Sequence, residues 1–130
     1  MLDRFIPETS KISQPFWDSC KAEAMKIQKC EDCGHYAYYP VYICPECASR
    51  RLAWTPVSGR GSIYTYTAAD SSIFGKEPII VALVELEEGA MMMSNIINAE
   101  PGEVGIGTAV TLTYQPISDD FTLPVFEVAK

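Results

Sequence analysis

Cysteines carry the chemistry that is easiest to read in this chain. Four of the five lie between positions 30 and 47, as Cys30-Glu31-Asp32-Cys33 and Cys44-Pro45-Glu46-Cys47, with ten residues between the pairs. Two such pairs on a short arm supply four thiolates to one tetrahedral ion, and each C-x-x-C turn aims backbone amides at its sulfurs. Gly34 follows the first pair, where the turn asks for a positive φ that glycine adopts cheaply. Pro45 restricts φ inside the second pair. Four thiolates close the coordination shell and leave no position for water, so the expected ion, zinc, is structural rather than catalytic. Rubredoxin-type iron suits the same cage and is the second choice. Two disulfides are a weaker reading because nothing here suggests secretion, and a thioredoxin-like pair leaves the other two cysteines idle.

Little else in the chain resembles an active site. His35, the single histidine, stands two residues past Cys33 and reads as a solvent-facing residue at the edge of the turn. Asp70, Ser71 and Ser72 are neighbours, but no histidine outside the cysteine-rich stretch can serve as their base. A Ser/Asp-rich turn explains them. Gly59-Arg60-Gly61 lacks the third glycine and the preceding strand of a dinucleotide loop. Tyr36, Tyr38, Tyr39 and Tyr42 would suit a base-stacking platform, yet no lysine or arginine lies between Cys30 and Cys47. The reading adopted is that these aromatics thicken the core of a small metal-bound unit.

The surrounding elements must hold that metal site. The 130 residues are 48% hydrophobic and 21% charged, which is globular composition with room for one medium domain or two small ones. From Ser13, the stretch SQPFWDSCKAEAMKIQK reads as a helix running into the first cysteine pair. Ser13 is its expected cap, Pro15 suits the first turn, and Phe16, Cys20, Ala24 and Ile27 form an apolar stripe. Cys20 on that stripe is a packed thiol, while Trp17 either covers a neighbour or is an exposed anchor. Beyond the turn Pro56-Val57-Ser58-Gly59-Arg60-Gly61 the period changes to two, giving strands at 61–69, 79–86, 90–98, 109–115 and 122–128. Glu87-Glu88-Gly89 is a hairpin turn between the second and third, and residues 99–108 hold too much glycine and proline for a long helix. Five such strands suit an OB-fold barrel. The fold class expected is therefore mainly β with an N-terminal helix: residues 1–29 helical, 30–56 a four-cysteine zinc ribbon, 57–130 the barrel.

Charge and hydropathy narrow the partners. Seventeen acidic residues against ten basic ones give −7, all of it from residues 57–130, which hold three basic and ten acidic side chains. Zinc bound to four thiolates would make the total −9. Such a surface is poorly built to neutralise nucleic-acid phosphates. The longest aliphatic run, Ile79 to Val84, is six residues, against the ~20 that cross a bilayer. No secretion signal is read in MLDRFIPETS, and a cytoplasmic location with no membrane partner is expected.

The order of the pieces adds a resemblance. Phe16-Trp17, the C-x-x-C-G turn, Tyr39-Pro40, the C-P-x-C turn, Leu52-x-Trp54 and Ser58-Gly59-x-Gly61-x-Ile63-Tyr64-x-Tyr66-Thr67 follow one another here. The chain resembles the acyl-CoA-associated OB-fold proteins with a rubredoxin-like zinc ribbon, the family catalogued as domain of unknown function thirty-five. The resemblance implies a non-catalytic scaffold or accessory subunit that binds the CoA moiety of acyl-CoA and bridges thiolase or HMG-CoA synthase-like enzymes. It carries Cys30, Cys33, Cys44 and Cys47 over as metal ligands. CoA is polyanionic, so its nucleotide end is expected between helix and ribbon, near Trp17, Lys21, Lys29 and Arg60, away from the acidic barrel. The alternative function is a single-stranded nucleic-acid binder, because zinc ribbons and OB-folds both serve there. A stand-alone enzyme is the third and weakest reading.

Overall fold

The computed structural model describes residues 7–69 and 79–129. Its first element is helix α1, Gln14–Lys21. Pro15 sits in the first turn as expected, where its missing N–H has no intrahelical partner to lose. Ser13 does not cap the helix with its side chain; its hydroxyl instead accepts the Ser10 amide at 2.9 Å.

The helix is eight residues, not the seventeen its stripe suggested. Glu23 takes a positive φ of 56°, and the Ala24 amide bonds back to the Ser19 carbonyl, which closes the helix. Ser19 then donates to the Phe16 carbonyl and accepts the Lys26 amide at 3.0 Å, turning the chain into strand β1, Lys26–Cys30. Ala24, assigned to the buried stripe, is exposed; Met25, just before β1, and Ile27, on it, are buried instead. Pairing on both sides of β1 outweighs local helix propensity.

Strand β1 is the centre of a three-stranded antiparallel sheet with β2, Tyr36–Ala37, and β3, Leu52–Pro56. Its register sets Lys29 opposite Tyr36 on one side and Cys30 opposite Leu52 on the other. This small sheet carries the cysteine turns.

All five strands expected in the second half are present, as β4 (Arg60–Ala69), β5 (Ile79–Leu86), β6 (Met91–Ile96), β7 (Ala109–Pro116) and β8 (Thr122–Val128). They close a barrel in the order β4-β5-β6-β8-β7, with β4 pairing back onto β7 and a parallel contact of Ile96 with Phe126. Gly89 makes the β5–β6 turn at φ 99°, and between β6 and β7 lies only one short 3-10 turn, Pro101–Glu103. Gly61 is required for closure: a Cβ there would lie 2.7 Å from the Glu85 carbonyl oxygen.

Helix, ribbon and barrel share one core. Phe16, Cys20, Met25 and Ile27 pack in the same cluster as Ile63, Val84, Met92 and Phe126. The triple methionine splits as a strand requires, with Met92 buried and Met93 outward. No helix among the described residues is long and apolar enough to cross a membrane.

Candidate functional site

Two near-identical turns present the four sulfurs. In the first, the Cys30 amide bonds the His35 carbonyl and the Gly34 amide the Cys30 carbonyl. In the second, the Cys44 amide bonds the Ser49 carbonyl and the Ala48 amide the Cys44 carbonyl. Gly34 and Ala48 occupy equivalent places, both in the left-handed region, at φ 80° and 63°. The second turn thus uses alanine where the first uses glycine, at a steric cost of roughly 1–2 kcal/mol.

The geometry suits a tetrahedral ion. The four Sγ atoms lie within 4.8 Å of one another, with Cys30–Cys47 and Cys33–Cys44 both at 3.6 Å. Sulfurs about 2.3 Å from a central zinc would stand about 3.8 Å apart. Cys30 and Cys44 are buried and Cys33 and Cys47 exposed, so the cage is shielded from solvent on one side only.

Electrostatics divide the thiols. Hydrogen bonds from the Cys33 and Asp32 amides bring the Cys30 thiol down to about 6, against the opposing effect of its burial. The Ser49 amide acts the same way on Cys47, but burial and the neighbouring Cys30 and Cys33 sulfurs push it up to about 12. The His35 amide lowers Cys33 and the Cys47 sulfur acts the same way, but burial and the Cys44 and Cys30 sulfurs leave it raised. Cysteine binds a metal as the thiolate, so occupation of the cage by a dication releases protons.

Side chains outside the cage fasten the two turns together. Arg51 holds Asp32 at 2.7 Å and Glu31 at 3.2 Å, and the Ser49 hydroxyl donates to Asp32. Gln28, buried on β1, grips Val41 through both its amide groups, at 2.7 and 3.0 Å. Sequence reasoning passed over these residues. Gln28 stands between Ile27 and Lys29, and nothing in that local sequence marked it as buried.

The residues expected to meet CoA are dispersed. Trp17 is half-buried, edge-on to Phe16 at 5.2 Å and to Phe121 at 5.4 Å. Its ring packs against both neighbours while part of it stays exposed. Lys21 is exposed on the last turn of the same helix. Lys29 projects from β1 over the Tyr36 ring, 5.3 Å from its centre. Arg60 pairs with Thr111 at the start of β7, whereas Trp17 meets Phe121 beyond that strand's far end. Its guanidinium is held 2.7 Å from Glu87. Among the described residues no hydrogen bond, ion pair or ring contact joins Arg60 to Trp17, Lys21 or Lys29.

Arg60 belongs instead to a latch. The Ser58 amide donates to Glu88 at 2.8 Å and the Ser58 hydroxyl to Glu87 at 2.9 Å. The Ser58-Gly59-Arg60 turn is thereby clamped to the β5–β6 turn. The tyrosines of the arm divide equally. Tyr36 and Tyr38 pack against the core, with Tyr38 edge-on to Phe16 at 5.6 Å, while Tyr39 and Tyr42 are 70% and 73% exposed. Core packing therefore explains only half of the tyrosine-rich arm. His35 is half-exposed at the edge of the first turn and outside the sulfur cage. Asp70, Ser71 and Ser72 lie outside the described residues.

Comparison with known proteins agrees with this arrangement. Residues 17–53 match the family model described as ChsH2, rubredoxin-like zinc ribbon domain, and residues 54–115 match ChsH2, C-terminal OB-fold domain. A DUF35 domain-containing scaffold protein of Methanothermobacter thermautotrophicus is 32% identical over 96 residues, 71% of this chain and 72% of that protein. The chain belongs to the DUF35 family. A second relative of this DUF35 chain is the 3-oxo-4,17-pregnadiene-20-carboxyl-CoA hydratase alpha subunit of Mycobacterium tuberculosis, 33% identical over 115 residues. The DUF35 chain spans 37% of the length of the hydratase subunits it matches. A solved chain of the Ltp2-ChsH2(DUF35) aldolase superposes with a TM-score of 0.88 at 29% identity, covering 96% of this chain and all of that one.

Proposed function

We propose that this DUF35 chain is a non-catalytic scaffold subunit of an acyl-CoA enzyme of thiolase, HMG-CoA synthase or hydratase type. The observation that carries this reading is its likeness, over 96% of its residues, to a chain of the Ltp2-ChsH2(DUF35) aldolase, together with relatives named as scaffold proteins. Its own residues supply rigidity. Cys30, Cys33, Cys44 and Cys47 hold a zinc ion whose role is to cross-link two turns, and the barrel packs on the ribbon through a shared core.

The same reading places acyl-CoA contact on the helix–ribbon side, where Lys21 and Lys29 offer cations and Trp17 a ring edge. Arg60, neutralised by Glu87, contributes mainly to the latch. Purification of the tagged full chain from its native cell, with mass spectrometry and metal analysis, tests the proposal. One zinc per chain and a stoichiometric acyl-CoA enzyme are expected. A metal-free chain, or one with no enzyme bound, overturns it. Charge reversal at Lys21 and Lys29 together should weaken CoA binding, and an unchanged dissociation constant would discard that contact.

A further inference from the structure

Strand β5 is apolar on both of its faces. Ile80, Ala82, Val84 and Leu86 point into the barrel and are buried. Val81 and Leu83 alternate with them, face outward and are only half-buried. A barrel face that meets water alone carries polar side chains at such positions, and apolar residues on both faces mark a strand covered on both sides. The register sets Thr65 beside Leu83 beside Met93, and Thr67 beside Val81. Together they line an outward groove of 280 Å³ in which Met93 is 59% exposed.

The groove itself carries no charged side chain, and the charge of the barrel around it selects the occupant. Among the described barrel residues Arg60 is the only cation, and Glu87 neutralises it. Eight carboxylates stand against it over the described barrel, and the one that borders the groove, Glu85, continues the outward row of β5 beyond Leu83. An anionic strand or a lipid phosphate would be repelled here, and a second copy would oppose the same carboxylates. A cationic apolar segment meets no such penalty.

We propose that the outer face of β4, β5 and β6, centred on Val81, Leu83 and Met93, docks a protein segment whose apolar side chains are flanked by lysine or arginine. The proposal rests on the scaffold reading and names the face and the partner chemistry it would use. Isotope-labelled full chain is titrated with two blocked peptides of equal leucine content, one alternating with lysine and one with glutamate. The lysine peptide should move the amide resonances of Val81, Leu83 and Met93, and lose affinity about tenfold from low to near-physiological salt. Leu83→Ser should abolish the response. Met93→Ser, at a position exposed enough to change without refolding, should weaken it severalfold. Equal response to both peptides, shifts mapping elsewhere, or self-association through these residues overturns the proposal. So do contacts from residues 70–78 onto Met93 in the free chain. Enzyme recovered equally with wild type and Leu83→Ser also overturns the docking face, yet leaves the scaffold reading intact. Enzyme recovered with neither overturns the scaffold reading, and the titration still decides the face.

Discussion

The Tyr114 hydroxyl accepts the Met25 amide at 2.8 Å, across 89 residues of chain. The Met25 carbonyl in turn accepts the Val57 amide at 3.3 Å. One buried residue just before β1 is thus gripped by the barrel through β7 and by the turn that enters β4. This bond fixes how the ribbon sits on the barrel. Tyr114→Phe leaves the ring in place and strands a part-buried N–H, which costs about 1–3 kcal/mol. Urea unfolding should show a lower midpoint with unchanged slope, and no loss would mean the amide finds water instead.

The second cysteine turn carries strain that can be removed. Ala48 is held at φ 63° by the same hydrogen bonds that hold Gly34 at 80°. Ala48→Gly relieves the clash of Cβ with the backbone, and even after the added freedom of the unfolded chain should stabilise by about 0.5–1 kcal/mol. Gly34→Ala should destabilise by about 1–2 kcal/mol although its Cβ would meet nothing within 4 Å, because the cost is conformational. Thermal melts of the two variants should shift in opposite directions.

Thiol accessibility distinguishes the cage from the core. Cys20 is fully buried in the helix–barrel interface, and desolvation pushes its thiol up to about 12 against a hydrogen bond from Ser19. Four cysteines should therefore react with a disulfide reagent once a chelator has removed the metal, and the fifth only on unfolding. Before chelation all four should be protected. A fifth thiol reacting in the folded chain would contradict the packing described here.

Much of this was legible because each signal had a single period or a single chemistry. The paired C-x-x-C turns admit few explanations, and a short run rich in β-branched residues such as Ile79–Leu86, bounded by turn residues, names a strand wherever it falls. The helix overran because Phe16, Cys20 and Ile27 satisfy a helical stripe while Met25 and Ile27 satisfy a strand. Pairing with β2 and β3, invisible locally, decided between them. Arg60 looked like an available cation for the same reason. Its partner Glu87 is 27 positions away and meets it only through the β4–β5 register. Tyr39 and Tyr42 could not be told from Tyr36 and Tyr38 by composition, since only the loop's path sends two of the four outward.

Alkaline pH should loosen the fold at a predictable place. Burial raises the folded-state values of Cys20, to about 12, and of Tyr38 and Tyr114, so the native chain retains protons that the unfolded chain releases. For such groups stability is full below the unfolded value and declines as pH rises from it toward the folded value. Loss should begin near pH 9, where an unfolded cysteine ionises, and continue upward as the tyrosines follow. Melting temperatures followed from neutrality to pH 11 should fall on this course, and Cys20→Ala should flatten the first part by about one proton's worth of slope. Equal slopes in variant and parent would mean that Cys20 ionises as readily inside the fold as outside it, which its complete burial between α1 and the barrel does not allow.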